Sequence, residues 1–360
     1  MRAAILEASP GDLVIDEVTI GAVGAREVLV RTVAAGLCHS DLHFMEATYP
    51  CPTPVVLGHE SAGVVEAVGS EVSYVQPGDH VITCTSGFCG ACEFCLSGRP
   101  HLCNRDGLGR APGAPPRLRR GDESLHQFAD LASFAEQLLV HEHMVVKIRP
   151  DMPLDKAALL GCGVITGVGA VLNTAGVRPG EMVAVVGCGG IGLSAIQAAR
   201  IVGAGTVIAV DRVASKLELA RSLGATNVVD ASSTDAVAAV RDLTYGGVDH
   251  AFEAIGLKAT AEQAFAMLRK GGTATIIGMI PFGEKIEVDG FEFLTEKRLQ
   301  GSSMGSNRFR LDLPRYVEWY LAGKLRLDEL VSATMPLDRI NDGFAALRGG
   351  EVARQLVTFT

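Results

Sequence analysis

Cys38, His39, Ser40, Asp41 and His43 put a thiol, two imidazoles, a hydroxyl and a carboxylate within six consecutive positions. Buried polar groups cost stability unless they are paired, so a core strand has no use for such a run, whereas a metal site does. Two distant residues can complete a ligand set. His59 stands beside Glu60 in Gly58-His59-Glu60-Ser61-Ala62-Gly63, and Cys162 stands between Gly161 and Gly163. Taken singly, His59 reads as a half-buried histidine at a strand end, and each Cys as a small buried hydrophobe. Together, two thiolates and an imidazole leave a fourth position for water or substrate, as catalytic zinc requires. Glu60 is placed to be an occasional fourth ligand or an outer-shell charge. Asp41 is placed to accept from the other ring nitrogen of His59 and so fix its tautomer.

A second cluster has different chemistry. Cys89, Cys92, Cys95 and Cys103 can wrap one tetrahedral Zn²⁺ with no open position, which assigns that site to folding. A third motif binds a nucleotide. The apolar run Met182-Val183-Ala184-Val185-Val186 leads into Gly187-Cys188-Gly189-Gly190-Ile191-Gly192 and then an expected helix from about Leu193 to Val202. Glycines between a strand and a helix let the backbone approach a pyrophosphate, whose charge the helix N-terminus attracts. Asp211, about twenty residues on, ends the next strand and suits ribose hydroxyls, favouring NAD over NADP. Arg212 follows it directly and leaves weak NADP use open; a helix cap is the alternative reading of Asp211.

These motifs need elements to hold them. The 360 residues suffice for two domains, and 48% apolar with 20% charged residues suits a globular protein. No stretch approaches the ~18 uninterrupted apolar residues of a membrane helix. Glu7 and Asp12 interrupt any signal-peptide core, so the chain is expected in the cytoplasm, where nine Cys point to metal rather than to disulfides. A net charge of −9 without a basic block makes nucleic acid an unexpected partner. Short strands separated by Gly and Pro turns fill the first 160 residues, implying a β-rich fold. From Met182 to Ile277 strands and helices alternate, implying a doubly wound parallel sheet. The last sixty residues return to mixed structure, with a helix near Leu313–Leu321 and a strand near Gln355–Phe359. The Pro-bounded basic stretch 104–124, carrying Arg105, Arg110, Arg117, Arg119 and Arg120, reads as a solvated excursion or as an overhang on a substrate cleft.

Over essentially its whole length the chain resembles the zinc-dependent alcohol dehydrogenases of the medium-chain dehydrogenase/reductase superfamily. The zinc signature 58–63, the four-cysteine lobe, and Gly187, Gly189, Gly192 and Asp211 carry the likeness. The resemblance implies a GroES-like catalytic domain, residues 1–163 and 304–360, with its zinc lobe at about 84–104. It implies an NAD-binding Rossmann domain over 164–303. It also implies that Ser40 holds the substrate hydroxyl and that His43 is the outer end of a proton relay. His39 and Arg354 would face the pyrophosphate, and Lys216 the adenosine ribose. Thr166, Gly190, Ile191, Ile255 and Ile277 would lie near the coenzyme. Where several relatives place a large aromatic in the substrate pocket, this chain has Thr85, which widens it. The expected reaction is reversible oxidation of a primary or secondary alcohol to an aldehyde or ketone with NAD, by a homodimer or a tetramer with two zincs per chain. One alternative is a thiol-adduct formaldehyde dehydrogenase in which Arg117, Arg119 and Arg120 meet an anionic thiol cofactor. The other is a nucleotide-binding structural protein without catalysis, disfavoured by the intact Cys38, Ser40, His43, His59 and Cys162.

Overall fold

The computed structural model describes residues 1–350 and 352–359. The chain divides into two compact units. The first comprises Met1–Cys162, Arg308–Gly323 and Val331–Thr360; the second comprises Gly163–Asn307 and Lys324–Leu330. Lys324–Leu330, expected with the catalytic domain, belongs to the second unit because it is hydrogen-bonded there: the Arg326 N–H donates to the Gln197 side-chain oxygen at 2.7 Å. Among the described residues no single helix is long and apolar enough to cross a membrane.

The first unit is β-rich. Its largest sheet is organised on the long strand β1 (Glu27–Leu37), which pairs antiparallel with β2 (Ser61–Val68), with Gln137–His141 and with Arg354–Thr358. The chain leaves β1 at Cys38 and enters the short helix α1 (His39–Met45). Leu42 and Met45 of that helix are buried in one apolar cluster with Leu37, Leu57, Phe134 and Phe344. Burying Leu- or Met-sized side chains stabilises by about 1.5–3 kcal/mol each, enough to fix the polar face of so short a helix. The stretch 104–124 is largely exposed, as a solvated excursion would be, but it is anchored through the buried Leu108, Arg117 and Leu118. Leu118–Arg120 forms a strand against Thr19–Ile20, and Arg117 is buried. Its guanidinium meets Glu27 at 2.7 Å, and Arg110 meets the same carboxylate at 2.5 Å, so one buried anion ties this segment to β1. The helix expected near Leu313–Leu321 spans Phe309–Leu321. Its first turn is held from outside: Arg310 lies 3.7 Å over the Tyr74 ring and donates to the Glu142 carbonyl oxygen at 2.6 Å.

The second unit contains a six-stranded parallel sheet. β3 (Met182–Val186), β4 (Thr206–Asp211), β5 (Asn227–Asp230), β6 (Val248–Glu253), β7 (Leu268–Ile276) and β8 (Arg298–Gly301) lie in the spatial order β5-β4-β3-β6-β7-β8. Two sets of strands diverge from β3, the topological switch point at which such sheets bind nucleotides. The glycine-rich segment opens helix α2 (Gly190–Ile201), and α3 (Lys258–Ala266) connects β6 to β7. β7 begins five residues before the expected Thr273, because Leu268 pairs with Val248 across a bulge that the apolar pattern does not reveal.

Candidate active site

Cys38, His59 and Cys162 converge in the first unit. All three are buried, and their donor atoms lie within 4.8 Å of one another. Each arrives by a different device. Cys38 is the N-cap position of α1. His59 follows Gly58, whose φ of 90° suits glycine and where a Cβ would stand 2.6 Å from the Phe134 nitrogen. Cys162 sits between two short helical turns. The His59 Nδ1 is 3.0 Å from the Asp41 carboxylate, which also accepts the Gly58 N–H at 3.1 Å. The Nε2 is thereby turned toward the Cys162 sulfur, 3.2 Å away.

The electrostatics of this cluster suit a cation. Hydrogen bonding from Cys162 holds the Cys38 thiol well below its usual range, and the same contact pushes Cys162 up. Cysteine binds a metal as the thiolate, and the contact between the two sulfurs already favours that form at Cys38. Burial would lower His59, but Asp41 and Cys38 raise it. Burial raises Asp41, and it raises Glu60 to about 7 against the pull of Arg354. One oxygen of Asp41 and one of Glu60 are buried without a hydrogen-bond partner. Two sulfurs, an aimed imidazole nitrogen and under-compensated carboxylates fit the donor set of catalytic zinc.

Ser40 Oγ lies 3.6 Å from the Cys38 sulfur. His43, one turn further along α1, is half-buried and packs edge-on against Tyr49. His39 is exposed at the start of the helix, and Thr85 is half-buried just beyond the strand His80–Thr83. Arg354 is buried, and its guanidinium pairs with Glu60 rather than reaching solvent. Sequence reasoning missed Phe128. Its ring stands edge-on to His59 at 5.6 Å and to Phe44 at 4.6 Å, so aromatic surface borders the metal ligands despite Thr85. Ala129, Asp130 and Ala132 just beyond it all have positive φ, which no residue type here announced.

The other four cysteines gather in the lobe. Cys92 is 3.6 Å from Cys95 and 3.7 Å from Cys103, and Cys89 is 4.0 Å from Cys95. Ligands at ~2.3 Å from one zinc lie ~3.8 Å apart in a tetrahedron, so the spacing fits. Backbone N–H groups of Ala91 and Cys92 point at the Cys89 sulfur and hold its thiol at about 7. Burial pushes Cys95 up to about 12.

In the second unit the glycine segment fits a pyrophosphate. A Cβ on Gly192 would stand 1.7 Å from the Gly187 carbonyl oxygen, so no side chain is possible there. A Cβ on Gly189 would meet nothing within 4 Å, so a ligand can approach that backbone. Gly190 and Ile191 open α2. Asp211 closes β4 and accepts from the Cys188 N–H at 2.7 Å with one oxygen and from Arg212 and Val213 with the other. It therefore braces the glycine turn and caps its own turn as well. Arg212 is exposed and Lys216 half-buried nearby on the following helix. Thr166 and Ile277 are buried, and Ile255 is 45% exposed.

Residues 24–151 match the alcohol dehydrogenase GroES-like domain, and residues 190–321 match the zinc-binding dehydrogenase domain. An S-(hydroxymethyl)glutathione dehydrogenase of Haemophilus influenzae is 38% identical over 99% of this chain and 97% of its own. A zinc-binding alcohol dehydrogenase domain protein of Burkholderia ambifaria superposes with a TM-score of 0.95 at 39% identity, covering 100% of this chain and 98% of that one. The benzyl alcohol dehydrogenase of Acinetobacter calcoaceticus gives 0.94 at 34% identity, covering 100% and 99%. The chain belongs to the zinc-dependent alcohol dehydrogenases of the medium-chain dehydrogenase/reductase superfamily. It is an oxidoreductase that uses NAD, a catalytic zinc and a structural zinc.

Proposed function

We propose that this enzyme oxidises primary or secondary alcohols directly, without a thiol cofactor, and that aromatic alcohols are preferred. The observation that carries this reading is the Phe128 ring, set edge-on to both His59 and Phe44. Such a wall offers a substrate ring an edge-to-face contact worth about 0.5–1.5 kcal/mol beyond area burial. The thiol-dependent alternative needs free cations in the basic segment. Arg117 is paired with Glu27, and Arg120 with Glu7 and Glu123, which leaves the exposed Arg119 as the one arginine of the three that could meet an anionic thiol. The benzyl alcohol dehydrogenase likeness favours the same side, while the S-(hydroxymethyl)glutathione dehydrogenase likeness keeps the alternative worth testing.

When bound, zinc on Cys38, His59 and Cys162 supplies Lewis acidity and NAD the hydride acceptor. The chain's residues do the rest. Asp41 fixes the His59 ring so that Nε2 is the ligand atom. Ser40 Oγ accepts the substrate's hydroxyl proton, and His43 passes it outward from the same face of α1. Glu60 and Arg354 balance charge behind the sulfurs. We also assign a homodimer: β8 is an edge strand, and Phe282, Phe291 and Leu294 are 77%, 70% and 77% exposed, as an interface core requires. Light scattering should then give twice the 37.7 kDa chain mass.

NAD reduction with benzyl alcohol, ethanol and formaldehyde, each with and without glutathione, tests the substrate assignment. The expected result is a higher kcat/KM for benzyl alcohol, indifferent to glutathione and lowered about tenfold by Phe128→Ala. Formaldehyde turnover that appears only with glutathione would overturn it.

A further inference from the structure

We infer that Glu253 is the positioning residue for the coenzyme, acting through the backbone of Ile255 and Gly256. It is the last residue of β6 and is completely buried. One carboxylate oxygen accepts three hydrogen bonds: from the N–H of Ile255 at 2.9 Å, from the N–H of Gly256 at 2.7 Å and from the Thr260 hydroxyl at 2.8 Å. Its main-chain oxygen accepts the N–H groups of Ile277 at 2.9 Å and Gly278 at 3.1 Å. The next residue, Ala254, donates to the Val186 carbonyl at 2.9 Å. Glu253 and Ala254 together therefore link the carboxyl ends of β3, β6 and β7, where a parallel sheet binds its nucleotide.

The turns it holds interlock. A Cβ on Gly187 would stand 2.5 Å from the Ile255 side chain, and a Cβ on Gly278 would stand 2.1 Å from the Gly256 nitrogen. Gly256 itself has a φ of 94°, which glycine adopts readily, and its N–H is one of those that the Glu253 carboxylate accepts. These turns leave Ile255, Leu257 and Met279 exposed by 45%, 52% and 36%, an unusual cost for three apolar side chains beside the glycine segment unless a ligand covers them. The second Glu253 oxygen is buried with no partner, and a Cβ on Gly278 would come within 2.6 Å of it. Such an orphan oxygen costs free energy, which an apolar residue would avoid. The carboxylate is kept for what its other oxygen holds in place.

Three variants and a binding readout test this, with NADH titrated by its fluorescence and zinc content measured beside it. Glu253→Gln keeps an oxygen able to accept the same three donors, while its amide N–H groups replace the partnerless second oxygen and cost folding stability, so its melting temperature is measured beside its NADH affinity. Glu253→Asp keeps the charge but withdraws the oxygen by about 1.5 Å, one carbon–carbon bond. Glu253→Ala removes the acceptor. The expected result is NADH binding weakened about tenfold, ~1.4 kcal/mol, in Asp and Ala variants, and within about threefold of the parent in Gln. The KM for NAD should rise in parallel, with kcat at saturating NAD and two zincs per chain retained. Should the Ala variant fail to fold, the Gln and Asp pair carries the test. NADH affinity unchanged in the Asp variant, or lost in Gln and kept in Asp, would overturn the inference, the latter because charge and not geometry would then govern binding.

Discussion

Replacing Asp41 by Asn probes how far the catalytic site depends on a residue that is not itself one of the three metal donors. Asp41 is completely buried, and one of its oxygens holds both the His59 Nδ1 at 3.0 Å and the Gly58 N–H at 3.1 Å. In Asp41→Asn the amide oxygen can keep both contacts, but a charge-assisted bond becomes a neutral one of about half its strength. The amide nitrogen then occupies the place of Oδ2, which has no partner in the native site. Two buried N–H donors facing no acceptor cost about 1–3 kcal/mol, and turning the amide to relieve them surrenders the His59 contact. Either way His59 is held less firmly as a ligand, and loss of such a partner weakens metal binding by about 10–100-fold, or ~1.4–2.8 kcal/mol. The assay is zinc content after dialysis against a graded series of chelator concentrations. The parent should lose its catalytic zinc at a chelator level about 10–100 times higher than the variant, while the lobe zinc behaves identically in both. Loss of the two zincs at parental chelator levels would refute the reasoning, because the Asp41–His59 contact would then be incidental.

Glu27→Ala leaves Arg117 buried without its anion and should destabilise the first unit by about 3–5 kcal/mol in urea unfolding. Burial would raise the Glu27 carboxyl, but Arg110 and Arg117 outweigh it and hold the group at about 2 against an ordinary 4.5. A depressed folded value contributes stability that is complete above the unfolded value and drains away as pH falls from about 4.5 toward 2. The acid limb of stability should therefore be shallower in Glu27→Gln, and an unchanged limb would contradict the assignment. Gly189→Ala should fold normally but raise the KM for NAD at least tenfold, since its methyl fills only ligand space, whereas Gly192→Ala should fail to reach parental stability because its methyl meets the Gly187 oxygen. Equal thermal stabilities of the two would count against this reading of the segment. Cys95→Ser should lower zinc content from two to one per chain and reduce the melting temperature, with NADH binding by the second unit unchanged.

Legibility in the sequence followed the range of the interaction. The glycine segment, β3 and α2 were readable because strand, turn and helix signals lie within twenty residues and each constrains the next. The four lobe cysteines were readable for the same reason, since fifteen residues contain the whole site. The convergence of Cys38, His59 and Cys162 was legible only when the three were taken together, because each alone reads as an ordinary buried residue while the set makes a zinc donor set. Arg117 was misread because its partner lies ninety residues earlier, at a Glu27 that opens an ordinary-looking strand. Nothing in the local composition of a Pro-bounded basic stretch separates a solvated arginine from one buried on a distant carboxylate. The ion pair of Arg354 with Glu60 was hidden for the same reason, since its partner lies 294 residues away. Phe128 escaped because an isolated aromatic before an irregular turn carries no periodicity, and only the fold sets it beside His59.

The two zinc sites differ in what their geometry depends on. The lobe sulfurs receive their N–H donors from Cys89, Ala91 and Cys92 within the lobe and from Arg105 immediately after it. That site can assemble as soon as its own short segment closes on a metal. The catalytic ligands have no such autonomy. Cys38 depends on where β1 ends, His59 on the left-handed Gly58 packed against Phe134, and Cys162 on a turn packed against Thr83, since a Cβ on the neighbouring Gly161 would stand 2.5 Å from the Thr83 oxygen. Those supports are spread over the whole first unit. A closed four-sulfur site tolerates local assembly because nothing has to be kept open. A three-ligand site must hold its donors apart against the pull of their own hydrogen bonds, and only a rigid fold can do that. The buried charges beside it divide in the same way: Asp41 holds the His59 ring, while Glu60 and Arg354 pair with each other across 294 residues of sequence.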